Sequence, residues 1–273
     1  MYRIQYKAAL PDLLLTADHQ IDFPLMVCSH ERSGTHFLIN SLAACTAYQA
    51  KPWLDLDTNR LGGLINFRSP DQIAYFMRSL QTLDTGSGIY CCSNIIKNHH
   101  SSGYFYAAFA HNLRAAIILR HPAEVFLSYW RWLPSLPWHE ADQQNSPLDL
   151  ARSTPAGACL RYQRSSYSNH FARWANHAQD WVNTARQFPD RITITTYADL
   201  LEQHEPEMKR LASNLNLNLL QEPQRPDRHS NVVHGTARSI SPDTWANLVE
   251  ECELLLHDWP DLKALLRLSD QRA

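Results

Sequence analysis

The chain has 273 residues, of which 44% are hydrophobic, which is enough for one large α/β domain; we expect a single domain over residues 1–273. Its formal net charge of −2 provides no general attraction for nucleic acid or for an anionic membrane, so any bound anion must be held locally. No hydrophobic run approaches the length of a membrane span, and residues 1–10 lack the apolar core of a secretion signal, so we expect a cytoplasmic protein.

Cysteine and histidine spacing argues against two further classes of protein. The six cysteines form neither a disulfide framework nor a C-x-x-C pair, and we expect buried thiols. The fourteen histidines contain no H-E-x-x-H or comparable ligand spacing, so we expect no bound metal.

The most informative stretch is residues 25–42. Leu25–Cys28 is a short apolar run typical of a buried strand, and the apolar residues that follow fall at helical spacing: Phe37, Leu38, Ile39 and Leu42. A strand that turns directly into a helix points several backbone N–H groups at one spot, which attracts phosphate or sulfate.

The residues between this strand and helix suit an anion. Gly34 allows close approach of the backbone, Ser33 and Thr35 offer hydroxyls, and Arg32 adds a planar cation. The common nucleotide loop, G-x-x-x-x-G-K-[ST], is absent from the chain. The alternative is an ordinary strand-to-helix turn with Ser33 and Thr35 as helix caps.

Strand-like and helix-like stretches alternate through the rest of the chain. The predicted elements are strands at residues 89–96, 115–119 and 191–196, and helices at residues 70–83, 104–112, 121–133, 162–188, 206–215 and 242–257. Residues 134–157 form the longest irregular stretch, which is typical of a lid or binding loop. This alternation predicts an α/β fold with a mostly parallel central sheet flanked by helices, and with ligands at the carboxyl ends of the strands.

Two further predicted strand ends carry suitable chemistry. Arg120 follows the strand at residues 115–119, and Ser128 lies about two helical turns beyond it. Lys97 and His99 follow another strand. Alternatively, Arg120 and the Lys97–His99 pair are surface residues and Ser128 lies on an outer helix face.

In combination, these motifs resemble the superfamily of sulfotransferases that use 3′-phosphoadenosine 5′-phosphosulfate (PAPS). Residues 30–37 are similar to its P-K-S-G-T-T-W loop, and residues 120–129 to its R-x-P-x-x-x-x-x-S-Y signature. Residues 97–99 are similar to K-x-H, and residues 197–200 to Y-E-D-L. Four short matches in the family's order are far more specific than any one of them. The resemblance implies a three-layer, P-loop-like sulfotransferase domain.

The resemblance also implies a role for each matching residue. The 5′-phosphosulfate would be held by Arg32 and the backbone of Ser33, Gly34, Thr35 and His36. The 3′-phosphate would be held by Arg120 and Ser128, while Phe37 would replace an adenine-stacking tryptophan and Tyr197 would lie near the base.

Two departures from the family pattern concern cations. Arg32 stands where the family has lysine, and because arginine does not release a proton at ordinary pH, only charge stabilisation is expected of it. The family's C-terminal R-K-G-x-x-G-x-W is not recognisable, and we take Arg238 as the candidate for an extra 3′-phosphate ligand. Alternatively, this segment is a plain surface loop.

The implied reaction is in-line transfer of a sulfuryl group from PAPS to a hydroxyl or amine, with adenosine 3′,5′-bisphosphate (PAP) as the product and no metal. His99 would be the general base, and Lys97 and Arg32 would stabilise charge. Because alternate side chains of an extended segment point to opposite faces, we expect His100 to face away from the crevice that His99 faces.

The acceptor is expected to be a small molecule, a lipid or a carbohydrate. The expected pocket walls are aromatic and include Tyr104, Phe105, Trp130 and Trp132, together with residues 134–157. Two alternatives remain: a nucleotide or small-molecule kinase, which would need a lysine in its phosphate loop, and a non-catalytic PAPS-binding protein.

Overall fold

The structure of the protein is a computed structural model. It describes residues 2–5, 14–18, 21–55, 69–81, 83–84, 89–135, 144–163, 165–227 and 238–269.

A five-stranded parallel sheet forms the centre of the fold, with strand order β4-β7-β3-β8-β9. The described strands are β1 (Tyr2–Gln5), β2 (Leu14–Asp18), β3 (Leu25–Cys28), β4 (Gln49–Asp55), β5 (Leu83–Asp84), β6 (Ile89–Cys92), β7 (Asn94–Asn98), β8 (Arg114–Leu119) and β9 (Ile192–Thr196). The predicted mostly parallel sheet is confirmed.

Helices cover both faces of this sheet. The described helices are α1 (Thr35–Cys45), α2 (Pro70–Gln81), α3 (Tyr106–His111), α4 (Pro122–Trp132), α5 (Pro147–Arg152), α6 (His170–Gln187), α7 (Tyr197–Glu202), α8 (His204–Asn214), α9 (Pro242–His257) and α10 (Pro260–Leu265). None of them is long and apolar enough to cross a membrane.

Alternate side chains of the central strands pack into two separate hydrophobic cores, one on each face of the sheet. In β3, Leu25 and Val27 pack with α1 and α8, whereas Met26 and Cys28 pack on the other side of the sheet with α4, α6 and α9. A strand buried on both faces reads as a continuous apolar run, which is why the sequence predicts β3 and β8 well.

One predicted strand is really two. Residues 89–96 were expected to be a single buried strand, but β6 belongs to an antiparallel sheet of order β1-β2-β6-β5, and β7 belongs to the central sheet. The carbonyl of Ser93, between them, accepts a hydrogen bond from the Gln49 amide at 2.8 Å. The apolar run contains no glycine or proline to mark this change of partner.

The predicted helix at residues 162–188 is wrong at its start. Residues Gly157–Tyr162 form a 3₁₀ helix, and α6 begins at His170, where the Asn169 side chain accepts a hydrogen bond from the Ala172 amide at 2.8 Å. An asparagine cap fixes the start of a helix at the next residue.

The stretch at residues 134–157 is less irregular than expected. Its described part includes α5, which is capped by Ser146 and begins with Pro147. Residues 136–143 lie outside the described part of the chain. The sequence also did not predict β4, whose Pro52 fits its place at the edge of the central sheet.

Candidate functional site

Four neighbouring strands end at one edge of the central sheet. Strands β7, β3, β8 and β9 are adjacent and parallel, so their carboxyl ends lie side by side. His99 follows β7, Arg120 follows β8 and Tyr197 follows β9. The loop at residues 29–34 leaves β3 between them and leads into α1. The fold therefore gathers the four sequence motifs at one edge.

The loop at residues 29–34 approaches its neighbours closely. Gly34 has a φ of 104°, and a Cβ at this position would lie 2.6 Å from Tyr197 Cδ2. Arg32 has a φ of 66°, an uncommon conformation for a residue other than glycine. A backbone of this kind persists only where surrounding contacts hold it, and such strain is concentrated at binding sites.

The amino end of α1 carries no side-chain cap. Its first intrahelical bond runs from the Leu38 amide to the Gly34 carbonyl at 3.1 Å, so the amides of the first turn point toward the loop. Thr35 Oγ1 instead shares a hydrogen bond of 2.6 Å with Ser29 Oγ. The alternative prediction of Ser33 and Thr35 as helix caps is therefore wrong.

The Ser33 hydroxyl is a buried polar atom without a partner. Ser33 is only 1% exposed, and its Oγ makes no hydrogen bond to any described residue. An unsatisfied buried hydroxyl costs about 1–3 kcal/mol, and a bound oxyanion would accept its hydrogen.

Arg32 lies against α4. Its Nε donates to Ser128 Oγ at 3.1 Å, and its guanidinium lies 5.5 Å from the centroid of the Trp132 ring. No described carboxylate forms an ion pair with Arg32. Burial, and secondly the charge of Arg120, lower the pKa of Arg32 to about 10, so the guanidinium stays charged near neutral pH.

Arg120 is the second cation of the site. Its Nη1 donates to the Arg32 carbonyl at 3.4 Å, and its guanidinium lies 4.0 Å from the centroid of the Tyr197 ring. Glu124, one helical turn along α4, approaches Arg120 Nε at 3.6 Å. Among the described residues, two arginines share one nearby carboxylate, which leaves a positive region that an anion would stabilise.

Three aromatic rings meet beside the amino end of α1. The Phe37 centroid lies 6.1 Å from that of Tyr197 in an edge-on arrangement, and 5.8 Å from that of His204. Phe37 and Tyr197 therefore lie together, as their matches to the family motifs imply. His204, which sequence reasoning did not select, also donates to or accepts from Ser41 Oγ at 2.9 Å.

His99 is held in one tautomer by the backbone of the loop. Its Nδ1 lies 2.9 Å from the Ser29 carbonyl, which only accepts, so Nδ1 carries the hydrogen and Nε2 the lone pair. His99 is 7% exposed, and burial, followed by the charge of Lys97, lowers its pKa well below the ordinary value. Near neutral pH, His99 is therefore a neutral imidazole.

His100 does not show the expected simple alternation. The Asn98 side chain accepts a hydrogen bond from the His100 amide at 3.0 Å, and this turn interrupts the extended segment. As a result, the rings of both His99 and His100 contact Tyr162, with centroid distances of 5.5 and 5.4 Å. The prediction assumed a regular strand at residues 98–100, whereas β7 ends at Asn98.

Beneath the loop lies a buried ion pair that sequence reasoning missed. Arg173 Nη2 donates to both carboxylate oxygens of Glu31, at 2.7 and 2.8 Å, and Arg173 Nη1 donates to His30 Nε2 at 2.9 Å. Burial lowers the pKa of Arg173, but the Glu31 carboxylate outweighs it and the net shift is upward. The signal in the sequence was a charged residue on the apolar side of a predicted helix.

Two further buried histidines of α6 border this pair. His177 Nε2 donates to the His99 carbonyl at 3.2 Å, and the His177 ring lies edge-on to His30 at 5.6 Å. Burial, and secondly the charge of His30, lower the pKa of His177 to about 3. Burial, and secondly the charge of Arg173, lower that of His170 to about 4.

The remaining predicted site residues lie around this edge. Lys97 is half-buried in β7, two residues before His99. Arg238 packs its guanidinium 5.0 Å from the Trp130 ring, and its carbonyl accepts a hydrogen bond from Arg131 Nε at 2.9 Å. Arg238 thus lies against the helix that carries Ser128.

The aromatic residues predicted as walls of the acceptor pocket differ in where they lie: some contact site residues, and one is in the core. Trp132 contacts Arg32, and Tyr104 contacts His100. Phe105 is fully buried and stacks on Trp181 in the core, so its prediction as a pocket wall is wrong. The 104–112 stretch includes a short helix, and Phe105, immediately before it, belongs to the hydrophobic core on one face of the sheet. Within the described ranges, no cluster of three or more His, Cys, Asp or Glu residues is arranged to hold a metal ion.

Comparisons with known proteins agree with the family and the fold. The sulfotransferase domain family matches residues 22–233. Retinol dehydratase in complex with androsterone and PAP superimposes with a TM-score of 0.54 at 14% identity, covering 92% of this chain and 82% of the other. Retinol dehydratase in complex with retinol and PAP superimposes with a TM-score of 0.53 at 15% identity, covering 92% of this chain and 83% of the other. No curated protein matches the sequence.

Proposed function

The chain belongs to the sulfotransferase domain family, and we propose that it transfers a sulfuryl group from PAPS to a hydroxyl or amine of an acceptor. The observation that carries the proposal is the pair of arginines at adjacent strand ends, Arg32 and Arg120, with no described carboxylate on Arg32. PAPS has two separate anionic ends, and two guanidinium groups match such a ligand.

The residues present fit PAPS. The orphaned Ser33 hydroxyl and the uncapped first turn of α1 offer donors to one anionic end, beside the tight backbone at Gly34. We assign the 5′-phosphosulfate to Arg32 and the backbone of residues 33–36. We assign the 3′-phosphate to Arg120 and Ser128, with Arg238 as a further candidate ligand.

The aromatic group at the start of α1 supports an adenine site. Phe37 and Tyr197 form its walls, and the neighbouring His204 ring adds a third aromatic surface. A flat, apolar base with polar edges suits walls of this kind.

We assign the general base to His99. Because Ser29 fixes the hydrogen on Nδ1, Nε2 is the atom that accepts the acceptor's proton. The lowered pKa keeps this nitrogen unprotonated near neutral pH, so the base is ready before the acceptor binds. The acceptor oxygen or nitrogen, having lost its proton, forms the new bond to sulfur.

Cations stabilise the charge that develops in the reaction. PAPS, when bound, supplies the sulfuryl group, and PAP departs with the bonding electron pair. Lys97 and Arg32 compensate the negative charge at the sulfuryl group and at the departing phosphate oxygen, a task that needs no proton from Arg32.

The acceptor is a small molecule, lipid or carbohydrate with a hydroxyl or amine. The two retinol dehydratase structures hold androsterone or retinol beside PAP. Here Tyr162 lies edge-on to His99, and Trp132 lies at Arg32, so aromatic side chains border both reacting ends of the site.

The test is transfer of labelled sulfate from PAPS to a panel of acceptors by the wild type, His99→Ala and His100→Ala. A general base contributes about 10²- to 10⁴-fold, so His99→Ala should lose that factor in kcat while keeping its affinity for PAP. His100→Ala is the matched control, because it removes the neighbouring ring and leaves the hydrogen bond between His99 and Ser29 in place. Its kcat should fall far less.

Full activity in His99→Ala would contradict the assignment of the base. Binding of PAP without transfer to any acceptor by the wild type would favour the non-catalytic PAPS-binding protein. Transfer of phosphate rather than sulfate would favour the kinase.

A further inference from the structure

Helix α6 reaches the loop at residues 29–34 through the guanidinium group of Arg173. Arg173 binds the side chains of two consecutive loop residues, the Glu31 carboxylate and the His30 ring, and the His30 Nδ1 donates to the Glu31 carbonyl at 3.0 Å. Glu31 is 5% exposed and Arg173 is 2% exposed, so water does not compete for these bonds. Arg173 therefore holds the loop at the two residues that immediately precede Arg32.

The same helix reaches the other half of the site one turn later. His177 follows Arg173 by four residues and therefore lies on the same face of α6. Its Nε2 donates to the carbonyl of His99 at 3.2 Å. Two side chains of one rigid helix thus hold both the loop and the backbone of the candidate base.

The loop and the His99 side chain are also joined directly, by hydrogen bonds through Ser29. His99 Nδ1 donates to the Ser29 carbonyl, and Ser29 Oγ shares a hydrogen bond with Thr35 Oγ1. The segment from Ser29 to Thr35 is therefore tied to α6 through Arg173 and to His99 through Ser29. A shift of either part moves the other, because every joint is a buried hydrogen bond.

We propose that Arg173 and His177 are positioning residues: α6 sets the distance between the donor-binding loop and the His99 base. This inference rests on the proposed function. Neither residue faces the reacting atoms; Arg173 acts through residues 30 and 31, and His177 acts through His99. Misplacement of reacting groups by about 1 Å can cost 10²-fold in rate, so such an arrangement matters for turnover.

The loop arm of the test uses a double variant, Glu31→Leu with Arg173→Met. Replacing a buried ion pair by apolar residues of similar size often preserves the fold, whereas removing one partner leaves a buried charge. The double variant should bind PAP about 10- to 100-fold more weakly in calorimetry, the range seen when partners that orient binding groups are lost. The control is Arg186→Met, which removes an exposed ion pair to Asp261 from the same helix.

The base arm compares His177→Leu with His177→Gln. Leucine cannot donate to the His99 carbonyl, whereas the glutamine amide can. His177→Leu should lower kcat for sulfate transfer by about 10- to 100-fold while changing PAP affinity by a smaller factor, and His177→Gln should recover most of the rate. A purely structural role would lower the melting temperature of both variants without separating their kcat values.

The outcomes distinguish this inference from the proposed function. Failure of the wild type to bind PAP would overturn both. Wild-type binding and transfer, with unchanged PAP affinity in the double variant and unchanged kcat in His177→Leu, would overturn the positioning role alone. If the double variant does not fold, the His177 pair decides the question.

Discussion

Two consecutive residues of one loop, Glu31 and Arg32, occupy opposite electrostatic environments. Glu31 points inward, where Arg173 neutralises it with two hydrogen bonds. Arg32 lies against Ser128 and Trp132, where no described carboxylate pairs with it and where burial, and secondly the charge of Arg120, lower its pKa. The inner charges compensate each other, whereas on the outer side one described carboxylate, Glu124, lies near two guanidinium groups.

This difference separates the interactions that hold the loop from those that our proposal assigns to a ligand. Structural ion pairs in proteins compensate each other, as Glu31 and Arg173 do, and they leave no charge for a ligand. Arg32 and Arg120 together repel each other, so a bound anion lowers the free energy of both. Removing one partner of the inner pair should therefore lower stability first, whereas removing an outer cation should lower ligand affinity with little change in stability.

The largest expected effect comes from breaking the inner pair. Glu31→Gln should lower the free energy of unfolding by about 3–5 kcal/mol, because it leaves the Arg173 charge buried without a counter-ion. Urea unfolding of the variant beside Arg186→Met, the exposed control on the same helix, measures this loss. A loss no larger than that of the control would show that the inner pair is not what holds the loop.

On the outer side, Arg32→Ala should weaken PAP binding by about 1.5–3 kcal/mol, the contribution of a hydrogen bond to a charged group, with little change in stability. Arg32→Lys should keep a sizeable part of the affinity if charge dominates. Calorimetry on both variants measures this. A lysine variant as weak as the alanine variant would show that the two-pronged geometry of the guanidinium is essential.

The parallel sheet and the grouping of the outer residues at its edge were predictable from the sequence, because each motif stands at the end of a short apolar run. Leu25–Cys28 and the strand before Arg120 are buried on both faces, so their positions are evident without knowledge of their neighbours. The family motifs then indicated Arg32, Arg120 and Ser128, and contacts in the structure connect these three residues.

The inner side could not be predicted in the same way. Glu31 and Arg173 lie 142 positions apart, and nothing near either residue indicates the other. The start of α6 depends on the Asn169 cap, and the split between β6 and β7 depends on which sheet each strand joins. Such features follow from tertiary contacts rather than from local pattern.

A smaller effect concerns pH. Burial lowers the pKa of four histidines around the inner side, His30, His99, His170 and His177, the last two to about 4 and about 3. Below about pH 6.5 the unfolded chain binds protons that the folded chain does not, so the free energy of unfolding should fall as pH falls from about 6.5 toward 4.

Each of these histidines contributes up to about 1.4 kcal/mol per pH unit in that window. Urea unfolding at pH 6.5, 6.0, 5.5 and 5.0 measures how the free energy of unfolding changes with pH. His177→Gln should make this change smaller by the contribution of one histidine. A free energy of unfolding that does not change between pH 6.5 and 5.0 would contradict the neutral, buried state of these rings.

The most direct test of the outer site is calorimetric titration of the wild type and Arg120→Ala with PAP and with adenosine 5′-phosphate. The wild type should bind PAP more tightly than adenosine 5′-phosphate, because our proposal assigns the 3′-phosphate to Arg120 and Ser128. Arg120→Ala should lose that preference while still binding both nucleotides. Equal affinity of the wild type for the two nucleotides would contradict the assignment of this edge of the sheet to PAPS.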